Sequence, residues 1–293
     1  MKYFYYPGCS LEGTAMEYDI STRAVLRALG IELMEVEDWT CCGAGAGDAQ
    51  SQLLSLVLPA RNLALAERTK VAADMVAPCS ACYLNLRKVG DHVKRDEKLW
   101  DMINEALGEE GLHYGGGIRV RHLLDVLATD IGAAGIEERV KYGLEGLRIA
   151  PYYGCQCLRP YKVFDDPERP ASMEPLIEAL GARVHPWSMG GKCCGAGLMT
   201  TKKDLALELA GSLLAAAGGA DCIATVCPMC QMNLDSFQKK ISRLRGEDLG
   251  VSVLYLPQLI GLAFGLPEED VKLKLNFAVT APLLETLSGF PQT

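Results

Sequence analysis

The pentapeptide Cys41-Cys42-Gly43-Ala44-Gly45 (CCGAG, 41–45) returns letter for letter at 193–197, and the agreement continues on both sides of it. Upstream, YYPGCSL (5–11) matches YYGCQCL (152–158), and ALG (28–30) matches ALG (179–181). Downstream, VAPCSAC (76–82) matches TVCPMC (225–230), and IRVRHLLDVL (118–127) resembles VSVLYLPQLI (251–260). Each copy holds five cysteines in one form: a single Cys, an adjacent pair, then C-x-x-C. In the first, 31 residues separate Cys9 from Cys41 and 36 separate Cys42 from Cys79. In the second, 37 separate Cys155 from Cys193 and 32 separate Cys194 from Cys227. Five aligned cysteines with shared flanks are not a chance use of Gly-Cys turns. The chain is a duplicated unit.

Within each copy the hydrophobic period alternates between two and 3.6. KYFYYPG reads as a strand closed by a Pro-Gly turn, AMEYDISTRAVLRAL as a helix stopped by Gly30, and IELMEVED as a second strand. Residues 51–69 read as a helix, DMVAP as a short strand, and a further helix begins at Ala81. The second copy repeats this with RIAPYYG, MEPLIEAL, ARVHPW, KDLALELAGSLLAAA, DCIATV and CQMNLDSFQKK. Strands alternating with helices predict an α/β fold. It should consist of two Rossmann-like units related by a pseudo-twofold, with their cysteine loops facing a shared cleft. The expected boundaries are 1–147, 148–266 and a C-terminal tail, 267–293. The charged run KVGDHVKRDEK (88–98) reads as a solvated helix face.

Composition narrows the function. Of 293 residues, 49% are hydrophobic and 23% charged, which suits a soluble globule with a sizeable core and argues against general disorder. Acidic residues outnumber basic ones, 37 to 29, so a phosphate backbone is not the expected partner. No apolar run reaches the roughly 20 residues of a membrane span, and MKYFYYPGCS lacks the apolar core of a secretory signal. A cytoplasmic location is expected. Thiols stay reduced there, so the twelve cysteines suggest metal ligands or redox groups rather than disulfides.

Every cysteine group falls just after a strand or at a helix start, the carboxyl end of a parallel sheet where such folds place ligands. Free backbone amides at those helix starts lower thiol pKa and favour anionic cargo. Gly43, Gly45, Gly195 and Gly197 would let the loops wrap an inorganic core and line opposite sides of one cleft. Structural zinc and the ordinary four-iron cube each use four ligands, one fewer than each copy offers. An iron–sulfur cluster of unusual shape, or a cube with one spare thiol, suits the count. Zinc in at least one half and a metal-free thiol relay are the alternatives.

The two C-x31–39-CC-x32–36-C-x-x-C series resemble the cysteine-rich CCG domains of the heterodisulfide reductase B-subunit family. VRHLLD (120–125), YYGC followed by LRP (152–160), and VLYLPQLIGLAFG (253–265) extend the resemblance over nearly the whole chain. It implies a noncubane [4Fe-4S] cluster on Cys9, Cys41, Cys42, Cys79 and Cys82, and a second on Cys155, Cys193, Cys194, Cys227 and Cys230. It further implies a cavity between the clusters, where the disulfide of coenzyme M and coenzyme B is reduced to two thiols. The implied partners are a ferredoxin-like [4Fe-4S] subunit and, behind it, a flavin-containing bifurcating subunit. Gly43-Ala44-Gly45 departs from the family, where Pro follows the first cysteine pair, which leaves room for another disulfide or persulfide-like acceptor. CCG domains also resemble parts of quinone-linked lactate, glycolate and succinate systems, so a quinone-linked electron-transfer subunit is the alternative enzyme reading. A zinc-binding scaffold is the non-enzymatic one.

Two cysteines lie outside the series. Cys222, within DCIATV, reads as a small buried hydrophobe. Cys157, where the first copy has Leu11, reads as a neighbour of the second cluster. The histidines do not repeat: His122 aligns with Tyr255 and His185 with Met34. His122 is the one expected at a strand end on the cluster side. GAGAG (43–47) follows a cysteine pair rather than a strand and is not a dinucleotide fingerprint.

Overall fold

The computed structural model describes residues 1–287. It contains two four-stranded, all-parallel sheets of the same topology. In the first, β1 (Lys2–Tyr5), β2 (Glu32–Glu35), β3 (Met75–Ala77) and β4 (Val120–His122) lie in the order β2-β1-β3-β4. In the second, β5 (Arg148–Tyr152), β6 (Arg183–Val184), β7 (Cys222–Thr225) and β8 (Ser252–Tyr255) lie in the order β6-β5-β7-β8. Helices cover these sheets, so β3, β7 and even the edge strand β8 are buried along their whole length and read as apolar runs, MVA, CIAT and SVLY. The duplicated α/β architecture expected from the repeat is therefore present.

Two helices differ from the sequence reading. The charged run 88–98 is not one helix face. The helix Ser80–Val93 ends inside it, and Asp96 caps the next helix, Glu97–Gly108, by accepting from the Leu99 amide at 3.2 Å. CQMNLDSFQKK likewise divides, into Pro228–Asp235 and Gln238–Arg245.

The units are joined by a reciprocal exchange. Helix Leu256–Ala263, which follows β8, packs on helix Met16–Ala28 of the first unit. Its counterpart after β4, the segment Gly132–Glu137, packs on helix Glu174–Ala179 of the second. One hydrophobic core therefore runs through both units, joining Tyr5, Val25 and Leu26 to Leu176, Leu256 and Leu259. Residues beyond 266 also enter it, through Val271, Leu283 and Leu287. Residues 288–293 of the expected tail lie outside the described residues. Among those described, no helix is long and apolar enough to cross a membrane.

Candidate metal centre

The pseudo-twofold brings the carboxyl ends of β1 and β3 to face those of β5 and β7, and the cysteine loops meet there. In the first unit Cys9 Sγ lies 3.8 Å from Cys41 Sγ, and Cys42 Sγ lies 3.5 Å from Cys82 Sγ. In the second, Cys194 Sγ lies 3.6 Å from Cys230 Sγ, and Cys155 is within hydrogen-bonding reach of Cys193. Cys79 reaches Cys82 on one side and Cys227 on the other, while Cys227 reaches Cys230. All ten sequence-predicted cysteines therefore fall along one line whose order is palindromic, 9, 41, 42, 82, 79, then 227, 230, 194, 193, 155, with Cys194 and Cys193 joined through the chain rather than by a sulfur contact. The pseudo-twofold passes between Cys79 and Cys227.

The ends of that line are open and its middle is closed. Cys9, Cys41 and Cys193 are exposed and Cys155 is half-buried, whereas Cys79 and Cys227 are 3% and 2% exposed. Beside Cys41 a surface cavity of about 550 Å³ is bordered by Glu12, Glu35, Glu37, Asp38 and Trp39.

Neighbouring thiols and amides set the charge of the paired sulfurs. Cys42 is pulled down to about 3, first by the Cys41 thiol, then by Cys82 and the Ala44 amide. Cys193 falls to about 6 through Cys155 and the Gly195 amide, and Cys227 falls through Cys230 and Cys79. Their partners move up: Cys41, Cys82, Cys155 and Cys230 each hold the proton of a thiol–thiolate pair. Loop amides aimed at sulfur in this way favour thiolate, the form that binds soft metals.

The closest supports are duplicated too. The Gly43 amide donates to Cys41 Sγ at 3.5 Å and the Gly195 amide to Cys193 Sγ at 3.3 Å. Asn85 Nδ2 donates to the Cys42 carbonyl at 3.1 Å, and Asn233 Nδ2 to the Cys194 carbonyl at 2.6 Å. Tyr6 OH donates to Thr40 O at 2.7 Å, and Tyr152 OH to Lys192 O at 2.8 Å, each fixing the residue before a cysteine pair. Trp39 and Trp187 lie edge-on to these two tyrosines.

Gly43 and Gly195 meet the site through their amides, while the glycines whose missing side chains make room for sulfur are two others, Gly8 and Gly154. A Cβ at Gly8 would lie 2.7 Å from Cys82 Sγ, and one at Gly154 would lie 3.0 Å from Cys230 Sγ. Both have positive φ, +75° and +68°. Gly43 and Gly195 also have positive φ, but their missing side chains make room for Leu58 and for the backbone of Ala206 rather than for open space. Gly45 and Gly197 have nothing within 4 Å. Sequence reasoning thus missed Gly8, Gly154, Asn85, Asn233, Tyr6 and Tyr152. The signal was present in Y-x-G-C and in C-x-x-C-x-x-N, which both copies carry.

The donor set suits a thiophilic centre: five sulfurs per unit, backed by amide donors and glycine cradles. It does not form the closed tetrahedron of structural zinc. Among the described residues, no group of three or more His, Cys, Asp or Glu side chains is arranged to hold a metal ion as they stand. The sulfurs stand instead as close pairs strung in a line. Cys157 is buried beside this line, its Sγ donating to Tyr153 O at 3.0 Å. Cys222 lies in the core on β7, its thiol pushed up by burial.

Comparisons with known proteins agree with this doubled site. The cysteine-rich domain family, CCG, matches residues 3–87 and again 149–235. The chain is 36% identical to a Wolinella succinogenes protein named the membrane anchor subunit of an 8-methylmenaquinol:fumarate reductase, over 94% of this chain and 96% of that one. It is 30% identical to an Archaeoglobus profundus protein named as like the B subunit of heterodisulfide reductase, over 92% and 93% of the two chains. With the B subunit of the Methanosarcina mazei ferredoxin:CoB-CoM heterodisulfide reductase it shares 29% identity over 92% and 91%. A crystal structure of a hypothetical protein from Helicobacter pylori has the same fold, with a TM-score of 0.75 at 15% identity. The match covers 96% of this chain and 52% of that one. With two copies of the cysteine-rich domain and relatives of this kind along its length, the chain belongs to the heterodisulfide reductase B-subunit family.

Proposed function

We propose that this chain is the iron–sulfur catalytic subunit of a multi-subunit oxidoreductase that reduces a disulfide to two thiols. Cys9, Cys41, Cys42, Cys79 and Cys82 hold one noncubane [4Fe-4S] cluster, and Cys155, Cys193, Cys194, Cys227 and Cys230 hold the other. The observation that carries this reading is the palindromic line of thiols, which sets two five-sulfur groups end to end. Splitting a disulfide takes two electrons, so two one-electron centres placed side by side match the stoichiometry.

When bound, such clusters would supply single electrons and iron sites open to sulfur. The chain's own part is to prepare the ligands and the approach. The amides of Gly43 and Gly195 hold Cys41 and Cys193 in place, and Asn85 and Asn233 fix the backbone of each cysteine pair. Burial of Cys79 and Cys227 keeps water from the seam, while exposed Cys9, Cys41 and Cys193 leave an approach for substrate sulfur or an electron-donating protein. In this reading the electrons come from a ferredoxin-like [4Fe-4S] subunit supplied by a flavin-containing bifurcating subunit.

A quinone-linked role is the second reading, favoured by the 36% identical relative named for a methylmenaquinol:fumarate reductase. Anaerobically purified protein tests both. We expect about eight irons per chain with matching labile sulfide, and reduction of CoM-S-S-CoB or a simpler disulfide by reduced viologen. Zinc without sulfide would overturn the iron–sulfur assignment. Eight irons with no disulfide turnover, but with electrons accepted from a menaquinol analogue, would replace the first reading by the second.

A further inference from the structure

Ser80 stands between Cys79 and Cys82 of the first unit, yet its hydroxyl points across the seam. Ser80 Oγ lies 3.1 Å from His122 Nε2 and 3.3 Å from the carbonyl oxygen of Val226, the residue before Cys227. The backbone fixes the imidazole tautomer. The Leu124 amide donates to His122 Nδ1 at 3.1 Å, so that nitrogen is bare and the ring proton sits on Nε2. Nε2–H therefore donates to Ser80 Oγ and Ser80 O–H donates to Val226 O, and the imidazole also lies within reach of the Val226 and Pro78 carbonyls themselves. Cys157 of the second unit flanks it within reach of the same hydroxyl. Ser80, His122 and Cys157 are all buried, with Phe164 stacked on the imidazole and Tyr83 edge-on to it.

Among the described residues, nothing in the other unit mirrors this chain. The residue corresponding to Ser80 is Pro228, which has no donor, and that corresponding to Cys157 is Leu11. His122 corresponds to Tyr255, which stacks on Tyr18 with ring centroids 4.1 Å apart. The carbonyl corresponding to that of Val226 belongs to Pro78, and it accepts from Tyr18 OH at 3.1 Å. The first cysteine group thus has a hydroxyl from its own unit behind it. The second has one lent by its neighbour.

We propose that Ser80 and His122 are positioning residues for the cysteine group of the opposite unit. They fix the peptide ahead of Cys227 and make the two centres unequal in redox potential although their ligand sets are equal. The physical basis is the sensitivity of an iron–sulfur centre to dipoles and burial around its sulfurs, felt strongly where water is excluded. The proposal rests on the ten cysteines being cluster ligands.

The test is a redox titration followed by electron paramagnetic resonance on the anaerobically purified protein. Cys41→Ser and Cys193→Ser identify which signal belongs to which unit. Ser80→Ala removes the middle of the chain. His122→Asn keeps a side-chain acceptor for the Leu124 amide but is too short to reach Ser80. Each is expected to shift the midpoint potential of the second unit's signal in the same direction and further than the first unit's. The double variant should shift it no further than the larger single one, because both act through one chain. Ser80→Thr should restore the wild-type value. Tyr18→Phe, which removes the donor to the Pro78 carbonyl, should move the first unit's signal more than the second's. Additive shifts, both signals moving by equal amounts, unmoved potentials in an iron-loaded Ser80→Ala protein, or loss of both clusters there would each overturn the proposal alone. A wild-type protein without iron and sulfide would overturn the ligand assignment and this proposal with it.

Discussion

In the first unit β2 runs beside β1 for four residues, whereas in the second β6 pairs with only two residues of β5. Pro151, which brings no N–H, stands just past the point where that pairing stops. The long helix between β1 and β2 runs from Met16 to Ala28, but its counterpart shrinks to Glu174–Ala179. A loop takes up the difference, tied by the Asp165 carboxylate to the amides of Asp166, Ala171 and Ser172. Against these differences, the atoms nearest sulfur agree pair by pair: glycine at 8 and 154, tyrosine at 6 and 152, asparagine at 85 and 233. The units diverge where a change costs only packing that can be rebuilt, and match where a side chain or a missing one touches a ligand.

The most direct way to break that match is to add one carbon to either cradle glycine. Gly8 has φ 75° and ψ 160°, a conformation open essentially to glycine alone, and a methyl there would press on Cys82 Sγ. We expect Gly8→Ala to lose the iron of the first unit, about half of the total, and to carry a backbone strain of about 1–3 kcal/mol. Gly154→Ala should do the same to the second unit less severely, since its Cβ clears Cys230 Sγ by 3.0 Å rather than 2.7 Å. Iron and sulfide per chain, with thermal melts, read both effects. Equal iron in Gly8→Ala and wild type would show that the close approach is not needed.

A smaller effect is expected at the asparagines. Asn85→Ala and Asn233→Ala each leave a buried cysteine carbonyl without its donor, at a cost of about 1–3 kcal/mol. The shorter bond of Asn233 makes its loss the larger of the two in chemical denaturation. Asn85→Ala should also disturb the first unit's spectrum, because Asn85 Nδ2 lies 3.8 Å from Cys42 Sγ as well. A larger loss at Asn85 than at Asn233 would reverse the expected ranking.

These positions also mark what the sequence could and could not tell. The alternation of strands and helices, the duplication and the matched cysteines were legible, because buried parallel strands read as apolar runs and the thiols recur at matched spacing. The cradle was not. Gly43 and Gly8 look alike in sequence, and only the fold decides that one faces Leu58 and the other Cys82 Sγ. Splits within the helical stretches at Lys94 and Ser236 were hidden for a similar reason, since a capped break inside a polar run leaves the hydrophobic period almost unchanged. The lending of Ser80 across the seam was beyond any local pattern.

His122 and Tyr255 are counterparts, but only His122 has an ordinary pKa near neutrality. Burial pushes the His122 imidazole down from 6.5 to about 4, so the folded protein keeps it neutral over a range where the unfolded chain binds a proton. The sign follows: stability is complete above pH ~6.5 and falls as the pH drops through about 4, by at most about 1.4 kcal/mol per pH unit. The difference between wild type and His122→Asn in denaturant melts from pH 7 to 4.5 isolates this share. Parallel curves would mean that His122 is already charged when folded.

The smallest effect is expected at the cysteine that the two units do not share. Cys222 opens β7, pairs with Ile149, and is fully buried with no polar partner. In the first unit the corresponding residue is Asp74, which faces Arg119 and Arg121 at 3.9 Å and 3.7 Å and is nowhere near sulfur. A position that is a core thiol in one unit and an ion-pairing carboxylate in the other belongs to packing. Cys222→Ala should therefore cost about 1 kcal/mol for the lost sulfur contacts and leave iron, sulfide and both spectra unchanged. Should Cys222→Ala instead remove iron while Cys194→Ser does not, the palindromic line would lose its claim to be the ligand set. The second unit would then bind its metal from the core side of β7.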